Sequence, residues 1–344
     1  MKALVYKGPR VIELEEIPVP APVQDESLIR IRAVGVCGSD LEGFLGKTGR
    51  RTPPMVMGHE MAGTVEVPAE ESNLQKGDHV VVQPKIYCGE CDYCQQGLTN
   101  LCPGAEFFGV MSKNGGMAEF LAVPERCLFK ITDGVDFHEA CMVEPAAVAY
   151  RSVHQLPEHT LRQAEYTLIV GAGTIGLLIL QMLRLRGVRN LIVSDLYDHR
   201  LDIARKLGAD FAVNPQKEPF LSRIGEITAN RMVDIAIEAV GFAASVTHAL
   251  EVLKNGGTSV WVGNAQRMVE VNMQRIVTGE LTIKGSSIYT EADFTASLEL
   301  IESRRIGVNS ILTLRERLEE GVGVFNRLKD NKDGKIVKAV LENN

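Results

Sequence analysis

Cys88, Cys91, Cys94 and Cys102 stand at C-x2-C-x2-C-x7-C on a stretch punctuated by Gly89 and Gly97. Four thiolates this close can enclose one Zn2+ tetrahedrally and leave no open position, which is the chemistry of a structural metal site. Disulfides are the competing use, but bridges between near neighbours at this spacing would be strained. The chain opens on a strand-like run, Met1-Lys2-Ala3-Leu4-Val5-Tyr6, so no secretory leader is expected and its seven cysteines suit reduced thiols.

A second set of candidate ligands is dispersed. Cys37 lies in Gly35-Val36-Cys37-Gly38-Ser39-Asp40, His59-Glu60 follows Gly58, and Glu144 precedes Pro145. A thiolate, an imidazole and a carboxylate make a mixed shell that keeps one position for water or substrate. Taken singly, each residue has an ordinary use: Cys37 as a small buried side chain, His59 as a loop histidine, Glu144 as a solvated acid.

A third constellation is Gly171-Ala172-Gly173-Thr174-Ile175-Gly176, between the apolar run 166–170 and the longer apolar run 177–184. Strand, glycine turn and helix are the context a dinucleotide fingerprint needs. Gly171 allows the tight turn, Gly173 lets backbone N–H groups approach a pyrophosphate, and Gly176 lets the helix lie close on the strand. A second strand, 190–194, ends in Asp195, at the distance where an acid meets the adenosine ribose hydroxyls.

The elements that must position these groups fall into two textures. Residues 1 to about 146 are dense in Gly, Pro and short β-type runs (27–34, 62–67, 79–82, 118–123), which implies a compact, barrel-like β domain. From 147 to 287, strands alternate with helix-like segments: helices over 200–207, 219–227 and 243–253, strands over 209–213, 233–239, 258–262 and 281–284. That succession predicts a doubly wound parallel sheet, making the chain α/β as a whole. The tail 288–344 carries helix-like 294–303 and 318–328 and a strand-like 335–341 that can complete the first domain. Bulk properties narrow the function. A net charge of −7 (37 basic against 44 acidic residues) argues against a nucleic-acid or anionic-membrane partner. No apolar run reaches membrane-spanning length, and the cytoplasm is the expected compartment.

Together, G-V-C-G-S-D, G-H-E, the four-cysteine loop, E-P and G-A-G-T-I-G occur in the order and spacing of the zinc-dependent medium-chain dehydrogenases, which the chain resembles over nearly its whole length. The Glu after His and the E-P pair resemble the sorbitol (polyol) dehydrogenase branch, with galactitol-1-phosphate and butanediol dehydrogenases nearby. The resemblance implies a GroES-like catalytic domain from residues 1–146 and 288–344, a Rossmann domain from 147–287, and catalysis in the cleft. It implies Cys37, His59 and either Glu60 or Glu144 as catalytic zinc ligands, the other glutamate lying close by. It places Ile175, Asp195, Arg200, Val262, Gly263, Asn264, Ile288 and Tyr289 against NAD, and implies a homodimer or homotetramer.

Departures at three positions, in two stretches, bear on the substrate. Relatives usually carry histidine at Glu42, and sorbitol enzymes an aromatic at Gly43 and an arginine at Ile288. The expected activity is therefore NAD-dependent oxidation of a secondary alcohol in a small polyol, diol or sugar derivative, with Ser39 taking the hydroxyl proton. Lys47, Arg50 and Arg51 raise a phosphorylated-polyol substrate as an alternative. Threonine dehydrogenation ranks lower without the histidine, and a catalytically silent NAD-binding protein lower still, since no metal ligand is missing.

Overall fold

The computed structural model describes every residue except Ser112, Asp133 and Asn344. The chain divides into two units. One comprises Met1–Pro145, Tyr289–Lys332 and Lys338–Asn344; the other Ala146–Ile288 and Asp333–Val337. The short stretch 333–337 thus sides with the second unit, although the sequence reads as one tail through it.

In the first unit the strand Glu26–Val36 is the hub, with most of its eleven residues buried. It pairs antiparallel with Glu60–Val67, Phe120–Pro124 and Lys338–Glu342. The last of these sets Ala339 opposite Val36 and Val340 opposite Gly35, so the C-terminal strand inserts beside the segment that leads into Cys37. Outward from these lie His79–Val82, Leu128–Lys130 and, beyond the C-terminal strand, Leu312–Arg317. Among the described residues the result is a branched sheet, Phe120–Pro124 pairing with the hub off the main path. Leu312–Arg317 escaped the sequence reading because it is a polar edge strand, LTLRER, with alternate residues exposed.

The second unit carries a six-stranded sheet in the order Phe211–Val213, Leu191–Ser194, Thr167–Val170, Val233–Glu238, Leu253–Trp261, Thr282–Gly285. Every neighbouring pair is parallel. The adjacent strands Thr167–Val170 and Leu191–Ser194 are buried at every residue, which is why they read as unbroken apolar runs. Helices Thr174–Leu185, Asp198–Lys206, Phe220–Ile227 and Ala243–Glu251 supply the crossovers. Leu168, Ile192, Ile224 and Val246 meet in the core between sheet and helices. Truncating one such side chain to alanine costs about 2–5 kcal/mol.

The stretch 333–337 is pinned to this unit. Thr174 Oγ1 donates to the Val337 carbonyl at 3.2 Å and Arg200 Nε to the Gly334 carbonyl at 3.0 Å. The final strand therefore begins only at Lys338. Among the described residues, no helix is long and apolar enough to cross a membrane.

Candidate active and cofactor sites

The four predicted loop cysteines converge. The Sγ atoms of Cys88, Cys91, Cys94 and Cys102 all lie within 4.8 Å of one another, and all four residues are free thiols. Cys88 Sγ stands 3.9 Å from Cys94 Sγ and 3.5 Å from Cys102 Sγ. Thiolates bound at ~2.3 Å around a tetrahedral ion stand about 3.8 Å apart, whereas a disulfide would bring two sulfurs to ~2.05 Å. The donor set and its spacing fit one zinc ion. Backbone N–H groups of Glu90 and Cys91 point at Cys88 and lower its thiol below the ordinary range, favouring the thiolate that a metal needs.

The dispersed set converges too, but with one member apart. Ligand atoms of Cys37, His59 and Glu60 lie within 4.8 Å of one another. Cys37 sits at the mouth of the helix Gly38–Phe44, where its sulfur accepts the Ser39 N–H at 3.5 Å. His59 and Glu60 enter at the start of the strand Glu60–Val67, buried. Gly35 faces Glu60 across the sheet, and a Cβ there would meet the Glu60 carboxylate at 1.9 Å. Glu144 stands outside this cluster. It is buried, and its Oε1 accepts the Tyr289 hydroxyl at 2.9 Å. Burial pushes the Glu144 carboxyl up to about 7, against the opposing pull of His59 and the Tyr289 hydrogen bond. The thiol, imidazole and carboxylate trio fits a zinc ion with one position open.

Three residues around this trio had not been read from the sequence as parts of the site. Asp40, fully buried, accepts the Cys37 N–H with Oδ2 at 3.1 Å and faces His59 Nδ1 with Oδ1 at 3.4 Å. Burial opposes its charge, but His59 and Arg51 outweigh burial and hold its carboxyl well below the usual range. Arg51 Nη2 donates to Asp40 Oδ1 at 2.9 Å, with 2 % of its side chain exposed. Lys338 Nζ pairs with Glu60 Oε2 and donates to the Val36 carbonyl at 3.3 Å. A lysine inside the apolar run 336–341 was the one available signal for it.

These contacts bear on the phosphate-binding view of Lys47, Arg50 and Arg51, and take Arg51 out of it. Arg51 is buried and spent on Asp40, and Lys47 pairs with Glu42 at 3.2 Å, while exposed Arg50 has no ion-pair partner among the described residues. Gly43 opens no pocket beside Phe44 either. A Cβ at Gly43 would lie 2.7 Å from Arg51 Cγ, so the arginine stem already fills that space. Phe44 is buried against Phe325, ring centroids 5.2 Å apart.

In the second unit, the glycine turn follows the central strand Thr167–Val170. A Cβ on Gly176 would meet the Gly171 carbonyl at 1.8 Å, so the helix lies as close as a glycine permits. At Gly173 a Cβ would meet nothing within 4 Å, and the helix that starts there has no side-chain cap. With no side chain capping them among the described residues, its first amides fit a bound pyrophosphate. Asp195 ends the neighbouring strand and accepts the Ala172 N–H at 2.7 Å and the Tyr197 N–H at 2.9 Å. Val262, Gly263 and Asn264 follow Leu253–Trp261 at the same sheet edge, where Val262 N–H and Gly263 N–H donate to Glu238. Arg200 lies 4.0 Å from Asp195, but its Nε and Nη2 are spent on the carbonyls of Gly334 and Ile336. Ile288, the last residue of this unit before Tyr289, is held at φ +48°, a region a β-branched residue seldom enters.

Fold and sites together define a two-unit α/β dehydrogenase, one unit suited to a dinucleotide and the other to zinc. Residues 23–133 match the family model for the alcohol dehydrogenase GroES-like domain, and residues 174–303 that for the zinc-binding dehydrogenase. The chain is 32 % identical to sorbitol dehydrogenase of Bacillus subtilis over 95 % of its length and 93 % of that protein's. It is 31 % identical to D-arabitol-phosphate dehydrogenase of Enterococcus avium, over 96 % and 93 % of the two chains. Among solved structures, a zinc-binding dehydrogenase of Sinorhizobium meliloti bound to NADP superposes with TM-score 0.89 at 28 % identity, covering 99 % of both chains. An Escherichia coli alcohol dehydrogenase complexed with NADH superposes with TM-score 0.90 at 26 % identity, covering 100 % of this chain and 99 % of that one. The chain belongs to the zinc-dependent alcohol dehydrogenase family.

Proposed function

We propose that the protein oxidises the secondary alcohol of a small polyol or diol, or reduces the corresponding ketone, with NAD as the redox partner. The observation that carries this reading is the approach of Cys37, His59 and Glu60 to within 4.8 Å of one another. The sorbitol and arabitol-phosphate dehydrogenases among its relatives support the polyol class. Residues 1–146 with 288–344 are proposed as the catalytic domain and 147–287 as the cofactor domain.

Zinc held by Cys37, His59 and Glu60 supplies Lewis acidity that favours loss of the alcohol proton. Ser39 Oγ, exposed next to Cys37, receives that proton in this reading. Glu144, kept close to neutral by burial and tied to Tyr289, is the reserve carboxylate beside the shell. A second zinc in the four-cysteine loop is structural. Asp195, with Oδ2 on the Ala172 N–H of the glycine turn and Oδ1 on the Tyr197 N–H, accepts from ribose hydroxyls and repels a 2′-phosphate in this reading. Gly171, Gly173, Ile175, Gly176, Val262, Gly263 and Asn264 line the remaining cofactor path in this reading, and the family resemblance assigns Ile288 and Tyr289 to the cofactor as well. Arg200 belongs to the same site. A homodimer or homotetramer in the cytoplasm is the proposed state, and the seven unbridged cysteines suit a reducing compartment.

Metal analysis with an NAD-reduction assay tests the reading. Two zinc ions per chain are expected. Cys37→Ala removes one ion and the activity while the fold persists. Cys94→Ala removes the other ion and lowers stability, because a closed zinc site contributes folding free energy. Full activity in the metal-free wild type would refute the assignment.

A further inference from the structure

We propose that Arg51 is a positioning residue for the catalytic zinc shell, acting through Asp40 on both His59 and the backbone of Cys37. The inference rests on the functional reading above and adds a residue to it. Asp40 is the joint: one carboxylate oxygen takes the Cys37 N–H at 3.1 Å, and the other lies 3.4 Å from His59 Nδ1. A proton on Nδ1 directed at Asp40 leaves the Nε2 lone pair for a metal, the second-shell arrangement that fixes tautomer and ring orientation.

A carboxylate in this position needs a counter-charge, since none of the Asp40 side chain and 6 % of the His59 side chain is exposed. Arg51 supplies it at 2.9 Å, itself 2 % exposed. The chain builds this contact deliberately. Arg50 and Thr52 flank Arg51 with backbone bonds to Met111 of 2.8 and 2.9 Å, which fix the loop. Gly43 then lets the stem through, because any Cβ at that position would lie 2.7 Å from Arg51 Cγ. Glycine at 43 and arginine at 51 are thus one feature. A phosphate-binding role for Arg51 would need an accessible guanidinium, and this one is enclosed.

Removing the arginine alone leaves Asp40 buried and uncompensated, free to protonate or turn away, and His59 loses its orienting partner. The test follows zinc release from the purified holoenzyme into excess chelator, with the four-cysteine ion as internal reference. Arg51→Met is expected to speed release of the catalytic ion by about 10–100-fold, the usual size of a second-shell effect, while the reference ion is unmoved. Arg51→Lys is expected to restore part of the retention. Asp40→Asn combined with Arg51→Met is expected to retain zinc better than Arg51→Met alone, because no unpaired charge remains. Should Arg51→Met fail to fold, Gly43→Ala, which displaces the stem, is expected to speed release in the same direction. Unchanged release in the soluble variant, in a wild type shown to hold two ions, overturns the inference alone. A wild type holding only the four-cysteine ion overturns the functional reading and the inference with it.

Discussion

Lys338 and Glu60 form an ion pair inside the first unit, with 3 % and 1 % of their side chains exposed. Glu144, a buried acid near the trio as Asp40 is, faces a neutral phenol instead, the Tyr289 hydroxyl. The two glutamates are therefore held in unlike ways, one by a cation and one by a hydrogen bond. Lys338→Met would strand the Glu60 charge, and breaking a buried pair from one side costs about 3–5 kcal/mol. A zinc ion held by Glu60 as proposed would replace part of the missing counter-charge. Urea unfolding should therefore show the larger loss in chelator-treated protein and a smaller one in the zinc-loaded enzyme. Equal losses in the two forms would mean that Glu60 does not face the metal.

How much of this was legible beforehand differs by residue. The four cysteines and the glycine turn are local: spacing alone brings their groups together, and the structure places them as read. Helix and strand periodicity likewise marked the parallel sheet. Asp40, Arg51 and Lys338 were opaque because their meaning lies in burial and in partners. Lys338 meets Val36 across 302 positions of sequence, and Arg51 among other cations reads as a solvated loop. At Gly43, where sorbitol enzymes carry an aromatic, only the packing reveals that an arginine stem occupies the space a side chain would take.

The second unit has a pH-sensitive fastening. Asp234 Oδ2 accepts the N–H groups of Glu165 and Tyr166, both at 2.9 Å, and the carboxylate also pairs with Lys254. Partial burial opposes the charge, but Lys254 and the two amides prevail, and the carboxyl sits below its ordinary value of 3.8. With the folded value below the unfolded one, the stabilisation is complete above that ordinary value and is lost as pH falls through the lowered one. Asp234→Asn should cost about 1–2 kcal/mol at pH 7 and almost nothing at the acid limit. A wild-type-minus-variant difference that stays flat from pH 7 to the acid limit would rule this out.

Cofactor choice should rest on Asp195 rather than on Arg200. The arginine is occupied by the carbonyls of Gly334 and Ile336, so it is not free to receive a 2′-phosphate, while the Asp195 carboxylate faces the turn that carries the dinucleotide. NAD is expected to exceed NADP in kcat/KM. Asp195→Ser should narrow the gap by about tenfold, the equivalent of ~1.4 kcal/mol of repulsion removed. A wild type that prefers NADP would reverse the assignment.

The substrate prediction changes once Arg51 and Lys47 are seen to be engaged with Asp40 and Glu42. A phosphate gripped by a free arginine gains about 1.5–3 kcal/mol from charged hydrogen bonds, which is roughly ten- to hundredfold in kcat/KM. With two of the three loop cations paired, a phosphorylated polyol should differ from its unphosphorylated counterpart by less than about threefold. Sorbitol is a different matter, because Ile288 stands where the resembled sorbitol enzymes carry an arginine. An unmatched substrate hydroxyl costs about 1–3 kcal/mol if buried, so sorbitol should turn over poorly beside a shorter diol. Ile288→Arg should raise sorbitol kcat/KM about tenfold if one contact worth ~1.4 kcal/mol is restored. A panel of sorbitol, butanediol, arabitol and arabitol phosphate decides the matter. A strong preference for the phosphate would place a cation in the site that the loop at 47–51 does not supply, and a wild type that favours sorbitol over every shorter diol would show that Ile288 is no barrier to a polyol.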